Sequence, residues 1–316
     1  MIWRVAGAHR IMQEISFTSA APDAMTIFMR VWPLNRVRGS VLIAHGAAEH
    51  GGRYARLASA LNGAGHAAAA IDHRGHGLTG SRAKLGVFGD ADGWNRAVAD
   101  LHQAAGLMRQ RYPDAPLALL GHSMGSLMVQ QYMAEHGNAL AAAILSGAML
   151  IDGFEALAPA VEAEVARDGR DAPCRVLAEL MAGGGFTAGI EHAETPFDWL
   201  SRDRAEVRAY VEDPLCGFPL SAGAWLDLLT RHHIPQRATD YQHIPRDLPV
   251  YVFAGDRDPV NQNLAVLQEL LRRYAAAGMP RVSAHFYEGA RHETLNEINR
   301  EEVTADLLAW LSANLA

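Results

Sequence analysis

The sequence predicts an α/β fold: a mostly parallel sheet with helices on both faces and an inserted helical block. Three observations predict it. Short apolar runs alternate with amphipathic stretches through the first 150 residues, the pattern of parallel strands joined by helical crossovers. From about residue 152 to 235 the strand-like runs stop, and alanine, charge and scattered large apolar residues (Phe154, Phe186, Phe197, Trp199, Phe218, Trp225) dominate. After residue 250 the alternation resumes. The expected division is a core part at 1–150, a helical insertion at 151–235 and a second core part at 236–316.

The elements follow in order. Residues 41–44 are an apolar run bounded by Gly39 and His45-Gly46, a short buried strand. Residues 53–61 read as a helix closed by Asn62-Gly63, and 66–71 as a strand ending at Asp72. Residues 94–112 carry helical spacing at Val98, Leu101, Ala105 and Met108. A strand at 117–120, a helix at 126–135 and a strand at 141–145 complete the first part. Beyond the insertion, 250–254 is a buried strand and 264–276 a helix closed by Gly278. Residues 282–287 alternate as a strand, and 301–315 form an amphipathic helix with Val303, Leu307, Leu308 and Leu311 on one face.

Bulk properties set bounds. At 316 residues, 49% hydrophobic and 20% charged, the composition is that of an ordinary globular chain, long enough for one large α/β domain with an insertion. The net charge is −7 and no lysine/arginine run stands out, so no nucleic-acid partner is expected. The two cysteines, Cys174 and Cys216, form no CxxC pattern, which argues against a disulfide framework or a zinc knuckle. Residues 1–10 lack the sustained apolar run of a signal peptide, and no stretch approaches the ~18 apolar residues of a membrane-spanning helix. Cytoplasmic residence is the expectation.

The chemistry centres on Gly121-His122-Ser123-Met124-Gly125, a G-x-S-x-G between a strand and a helix. That context marks a nucleophile elbow: the serine sits on a strained turn, and the glycines remove side chains that would collide where the backbone packs closely. A serine nucleophile needs a base, and the base needs a carboxylate to orient it. Two downstream turns fit, Gly255-Asp256-Arg257-Asp258-Pro259 and Glu288-Gly289-Ala290-Arg291-His292, each following a strand. Spacing does not choose between Asp256 and Asp258. The chain has fifteen histidines, so His292 gains weight from its order after Ser123 and the acidic turn rather than from its residue type. Oxyanion donors are expected at the N–H of Met124 and at Ala47 in the loop His45-Gly46-Ala47-Ala48-Glu49-His50. Asp72-His73-Arg74-Gly75-His76-Gly77 and His232-His233 are rich in potential ligands. No second cluster has metal spacing, so neither is taken as a metal site.

With these residues in order, the chain resembles the monoacylglycerol lipase and lysophospholipase group of α/β-hydrolases, also grouped with serine aminopeptidase-like (S33) hydrolases. The resemblance runs through residues 45–50 with Arg53-Tyr54, 72–77, 121–125, the insertion's Phe197-Asp198-Trp199-Leu200-Ser201-Arg202-Asp203, Tyr210 with Asp213-Pro214-Leu215, and Tyr287 to Glu293. It implies an α/β-hydrolase fold and a triad of Ser123, Asp258 and His292, the family's acid lying in a Gly-x-x-Asp turn. It implies oxyanion donors at Ala47 and Met124. It also implies that residues of about 150–235 form a cap, which binds the acyl chain and governs access, in some members at a membrane surface. Neither metal nor organic cofactor is implied. The expected activity is ester hydrolysis through an acyl-enzyme, on a monoacylglycerol, a lysophospholipid or another medium-to-long acyl ester. Short-chain carboxylesterase, aminopeptidase-like amidase and non-catalytic binding protein are the alternatives. For the amidase, the sequence shows no carboxylate pair to bind a substrate amino terminus, and Glu162 and Glu164 in the cap do not establish one. One departure stands out: many members carry glycine where this chain has Ser126, a change expected to alter packing under the nucleophile.

Overall fold

The computed structural model describes residues 12–82, 84–182 and 184–315; the N-terminal stretch 1–10 read above lies outside the described residues. Its elements in chain order are β1 (Gln13–Thr18), β2 (Thr26–Trp32), β3 (Gly39–Ala44), α1 (Ala55–Gly63), β4 (His66–Ile71), α2 (Gly77–Arg82), α3 (Gly93–Arg111), β5 (Leu117–His122), α4 (Met124–His136) and β6 (Ala142–Ser146). The intervening block holds α5 (Ala158–Asp168), α6 (Arg175–Ala182), α7 (Arg204–Glu212), α8 (Ala222–Arg231) and α9 (Ala238–Tyr241). Then come β7 (Val250–Gly255), α10 (Ala265–Ala276), β8 (Val282–Tyr287) and α11 (Arg300–Asn314).

The eight strands form one sheet in the order β1-β2-β4-β3-β5-β6-β7-β8. β1, β2 and β4 pair antiparallel, and every pair from β4 to β8 is parallel. Strands β3 to β7 are buried along their whole length, which is why they read as continuous apolar runs rather than as alternation. Successive residues nonetheless serve opposite faces. Leu42, Ala69 and Leu119 join the core under α3 and α4. Val41, Ile43, Ala68, Ala70 and Leu120 join the core under α1 and α11. The sheet is therefore sandwiched by helices.

The chain leaves β3 toward β4 on one side and returns at β5 on the other. The carboxyl ends of these parallel strands form the crevice where open α/β sheets place their sites. The loops after β3, β5, β7 and β8 all emerge there. Between β6 and β7 the described residues hold helices and no strand of the sheet. α8 packs on α5 and on α3. Its buried Asp227 accepts from the Gly93 N–H at the start of α3 (2.7 Å) and from Arg170 (2.6 Å).

Two features differ from the sequence reading. The helix expected from 53 starts as a 3₁₀ turn, Gly51–Tyr54, before α1 takes over. The strands β1 and β2 were not anticipated. Among the described residues no helix is long and apolar enough to cross a membrane.

Candidate active site

The turn between β5 and α4 fixes Ser123. Its backbone stands at φ 51°, ψ −121°, a conformation costing about 1–3 kcal/mol for a non-glycine residue. The surrounding glycines permit it. A Cβ on Gly121 would sit 2.6 Å from the Gly125 carbonyl carbon, and one on Gly125 would sit 2.6 Å from the His45 carbonyl oxygen. The elbow thus packs directly against the loop after β3. Ser123 caps α4, and Met124 is the first residue of the helix, so the positive end of the helix dipole lies beside the hydroxyl.

The loop after β3 is held amide by amide. Gly46 N–H donates to Glu49 Oε1 (2.6 Å), and Ala48 N–H donates to His76 Nε2 (3.0 Å). The Ala48 carbonyl accepts from Gly217 N–H and from the Tyr210 hydroxyl, each at 2.9 Å. His45 donates from Nδ1 to the Gly46 carbonyl (2.7 Å) and accepts at Nε2 from His73 N–H (3.1 Å). Burial drives the His45 pKa well below its ordinary value, that of His76 down to about 4 and that of His73 to about 3. These rings are neutral, which lets His76 Nε2 act as an acceptor. The loop's neighbours occupy the amides of Gly46 and Ala48 and leave that of Ala47 between them. Residues 72–77, rich in potential ligands, are scaffold instead. Asp72 takes Arg30 (2.8 Å) and the N–H groups of Gly51 and Leu78 (2.8 Å each).

His292 arrives on the loop after β8, buried, with its ring between His122 (centroids 4.9 Å apart) and Trp199 (5.0 Å). Its Nδ1 donates to Asp258 Oδ2 at 2.8 Å. Asp258 is fully buried. It also takes the Val260 N–H on Oδ1 and the Asn261 side-chain amide on Oδ2, each at 2.9 Å. Burial works to lower the His292 pKa, but the Asp258 carboxylate outweighs it and the value is raised. Asp256, the competing acid, instead accepts from Gly289 N–H (2.8 Å). His292 Nε2 is buried with no hydrogen-bond partner. The Ser123 hydroxyl does not donate to it; it rests on Met149 Sδ at 3.7 Å. Ser126 accounts for the position of Met149: its hydroxyl accepts the Met149 N–H (3.1 Å), while Gln130 donates to the Met149 carbonyl (2.9 Å).

Several residues absent from the sequence reading as functional groups support the site. Glu49, buried, also accepts from the Tyr54 hydroxyl (2.9 Å) and from Arg53 (2.6 Å). Arg53 bridges onward to Glu293, beside His292, through two bonds of 2.7 Å. Burial would raise the Glu293 pKa, but Arg53 holds it down at about 2. The i,i+4 spacing of Glu49 and Arg53 was a usable signal; the 240-residue separation of Arg53 and Glu293 was not.

A cleft of about 460 Å³ opens at Ser123. Ala47, Ser123 and Met124 form its base, and its walls are apolar, including Leu177, Leu180, Phe186 and Trp225 from the block between β6 and β7. None of the side chains lining it carries a carboxylate. Glu164 instead accepts the Arg175 N–H at the start of α6 (2.9 Å), and Glu162 is exposed.

One further trio, His50, Asp213 and Cys216, places potential metal ligands within 4.8 Å of one another. Its hydrogen bonds oppose metal binding. His50 Nδ1 already accepts from Gly52 N–H (3.1 Å), so the ring proton sits on Nε2 and is donated to Asp213 (2.9 Å). Burial raises the Cys216 pKa well above its usual value, away from the thiolate a metal needs. His232 and His233 pair with Glu155 (3.3 Å) and Glu135 (2.9 Å).

The comparisons with known proteins agree with this geometry. The family described as "Serine aminopeptidase, S33" matches residues 35–299. A monoacylglycerol lipase of Mycolicibacterium smegmatis is 32% identical over 300 residues, covering 94% of this chain and 96% of its own. The monoglyceride lipase of Mus musculus is 28% identical over 307 residues, covering 93% and 89%. Among solved structures, a thermostable carboxyl esterase from Bacillus coagulans, in complex with glycerol, matches with a TM-score of 0.87 at 29% identity, covering 97% of this chain and 100% of that one. The chain belongs to the serine aminopeptidase S33 family and has the α/β-hydrolase fold.

Proposed function

We propose that this ester hydrolase of the monoacylglycerol lipase type cleaves medium-to-long acyl esters through a Ser123–His292–Asp258 triad. The observation that carries the reading is the His292–Asp258 bond, with His292 Nε2 left unpartnered beside the elbow. With Nδ1–H donated to Asp258, Nε2 presents a lone pair, the tautomer a base needs. Ser123 turns from Met149 toward Nε2, loses its proton there and attacks the ester carbonyl. Such bonds are often long or misaligned without substrate and tighten in the complex. The N–H groups of Ala47 and Met124 take the oxyanion, each donor being worth about 10²–10³ in rate. His292 then protonates the departing alcohol, and water, activated by the same ring, releases the acid and frees Ser123.

The apolar cleft suits an acyl chain, and the block between β6 and β7 acts as the cap that walls it. The amidase alternative loses support, because no carboxylate lines the cleft to receive a substrate amino group.

The test is turnover by wild type and Ser123→Ala on p-nitrophenyl esters from acetyl to palmitoyl, a monoacylglycerol, a lysophosphatidylcholine and an aminoacyl-anilide. Hydrolysis retained by Ser123→Ala overturns the triad. A strict preference for acetyl esters overturns the lipid substrate, and dominant anilide turnover installs the amidase.

A further inference from the structure

The segment 198–203, part of the cap by sequence, is bonded to the His292 loop as well as to its neighbours in the cap, where Asp198 accepts from Glu194 and Thr195 and Asp203 from Ala205. His292 N–H donates to the Trp199 carbonyl (3.3 Å) and Glu293 N–H to that of Leu200 (2.7 Å). Arg291 Nη1 donates to the carbonyls of Asp198 (2.7 Å) and Ser201 (3.1 Å). The Ser201 hydroxyl donates to the Asn296 carbonyl (2.8 Å). At the centre is Glu297, a fully buried carboxylate. Its Oε1 accepts from Arg291 N–H (2.9 Å) and Arg202 N–H (3.0 Å). Its Oε2 accepts from Arg202 Nε (2.9 Å) and Ile298 N–H (2.9 Å). One side chain thus holds the residue before His292 and the segment that carries Trp199.

We propose that Glu297 is a positioning residue for the reaction: it clamps segment 198–203 to the His292 loop, so that Trp199 keeps the imidazole aligned between Asp258 and Ser123. The inference rests on the reading of His292 as the base. The physical reason is local. Charge-assisted bonds to a buried carboxylate are strong, and removing the acceptor orphans three backbone N–H groups, one of them on the residue before His292. With the clamp gone, Trp199 and the His292 main chain lose their shared reference. A displacement of about 1 Å at a reacting group can cost about 10²-fold.

The experiment measures kcat per active site, titrated to completion with a fluorophosphonate, together with KM and thermal midpoint, in wild type, Glu297→Ala, Glu297→Gln and Arg202→Ala. The expected result for Glu297→Ala is a fall in kcat per titrated site of about 30- to 100-fold with KM within about threefold. Glu297→Gln recovers part of it: its amide oxygen can still accept from the Arg291 and Arg202 N–H groups, while its NH₂ faces the Arg202 Nε and Ile298 N–H donors. A merely structural role would lower the midpoint and the titratable fraction and leave kcat per titrated site unchanged; that result overturns the proposal. Should Glu297→Ala not fold, Arg202→Ala carries the test: it breaks the side-chain half of the clamp, and wild-type kcat per titrated site there is equally fatal. Ser123→Ala runs alongside. Activity in that variant sinks the triad reading, whereas wild-type kcat in the Glu297 and Arg202 variants sinks only the clamp.

Discussion

Replacing Asp258 with asparagine tests the triad through one proton. Asp258 receives only donors: His292 Nδ1–H and the Asn261 amide on Oδ2, and the Val260 N–H on Oδ1. An asparagine must set its NH₂ against one of these. Facing Val260, it leaves a buried backbone N–H unpaired, at about 1–3 kcal/mol. Facing His292, it meets Nδ1 as a donor and drives the ring proton to Nε2, where it blocks the base. Either way the imidazolium formed in the reaction loses its counter-charge in a buried setting. Together these effects predict a fall in kcat of about 10³–10⁴, equivalent to roughly 4–5.5 kcal/mol of barrier, with KM little changed. The same carboxylate holds the His292 pKa above its ordinary value. The acid limb of kcat/KM therefore moves to lower pH in Asp258→Asn. The assay is the pH–rate profile on the best ester of the panel. A loss below about tenfold, or an acid limb that stays in place, refutes the assignment of Asp258 over Asp256.

Two further outcomes follow from the packing. Gly125→Ala pushes a methyl into the carbonyls of Ala44 and His45, so the elbow and the loop after β3 cannot both keep their places. It costs about 1–3 kcal/mol in a urea melt and most of the activity, and a fully active variant contradicts the close packing. Stability also falls with acid through the histidines packed against the loop after β3. Unfolded, His45, His73 and His76 take up protons near pH 6.5; folded, His76 does so only near 4 and His73 near 3. The unfolded state binds more protons in that window, so the stability they confer is whole above about 6.5 and is lost as pH drops toward 4. His76 alone is linked to roughly 3 kcal/mol. His292, raised by Asp258, works in the opposite sense: its contribution is present below 6.5 and lost as pH rises through its folded value. Urea midpoints measured from pH 7.5 to 4.5 check the balance, and a flat profile contradicts it.

Much of this arrangement was legible in the sequence because its signals are local. The elbow announces itself within five residues, and the buried strands β3 to β7 announce themselves as apolar runs. What escaped was non-local. β1 is an edge strand whose residues stay largely exposed, with Gln13, Glu14, Ser16 and Thr18 breaking any apolar signature. Spacing alone did not separate Asp256 from Asp258, and only the Gly-x-x-Asp resemblance pointed to Asp258; in the structure one carboxylate turns to Gly289 and the other to His292, two residues apart on one turn. Glu297 looked like any charged residue before a helix. Its partner Arg291 lies only six residues away, but Arg202 reaches it only when the block between β6 and β7 folds back over the sheet.

The support around Ser123 comes from two networks, and their connection has a consequence for the cap. One network fixes the loop after β3 through Glu49, His76 and Tyr210. The other fixes the His292 loop through Glu297 and segment 198–203. Arg53 joins them by pairing with Glu49 on one side and Glu293 on the other. Tyr210, on α7, and Trp199 both belong to the block between β6 and β7, so this half of the block is bonded to both loops beside Ser123. An opening motion that lifted it would break the bonds of the loop after β3 and of the His292 loop together. The other half contributes apolar walls to the cleft through Leu177, Leu180 and Met181 of α6 and through Phe186, and among the described residues α5 and α6 make no hydrogen bond to the loops that carry Ser123, Asp258 and His292. On the proposed triad, access for an acyl chain falls to α6 and Phe186, while α7 and the segment before it are expected to stay on the core.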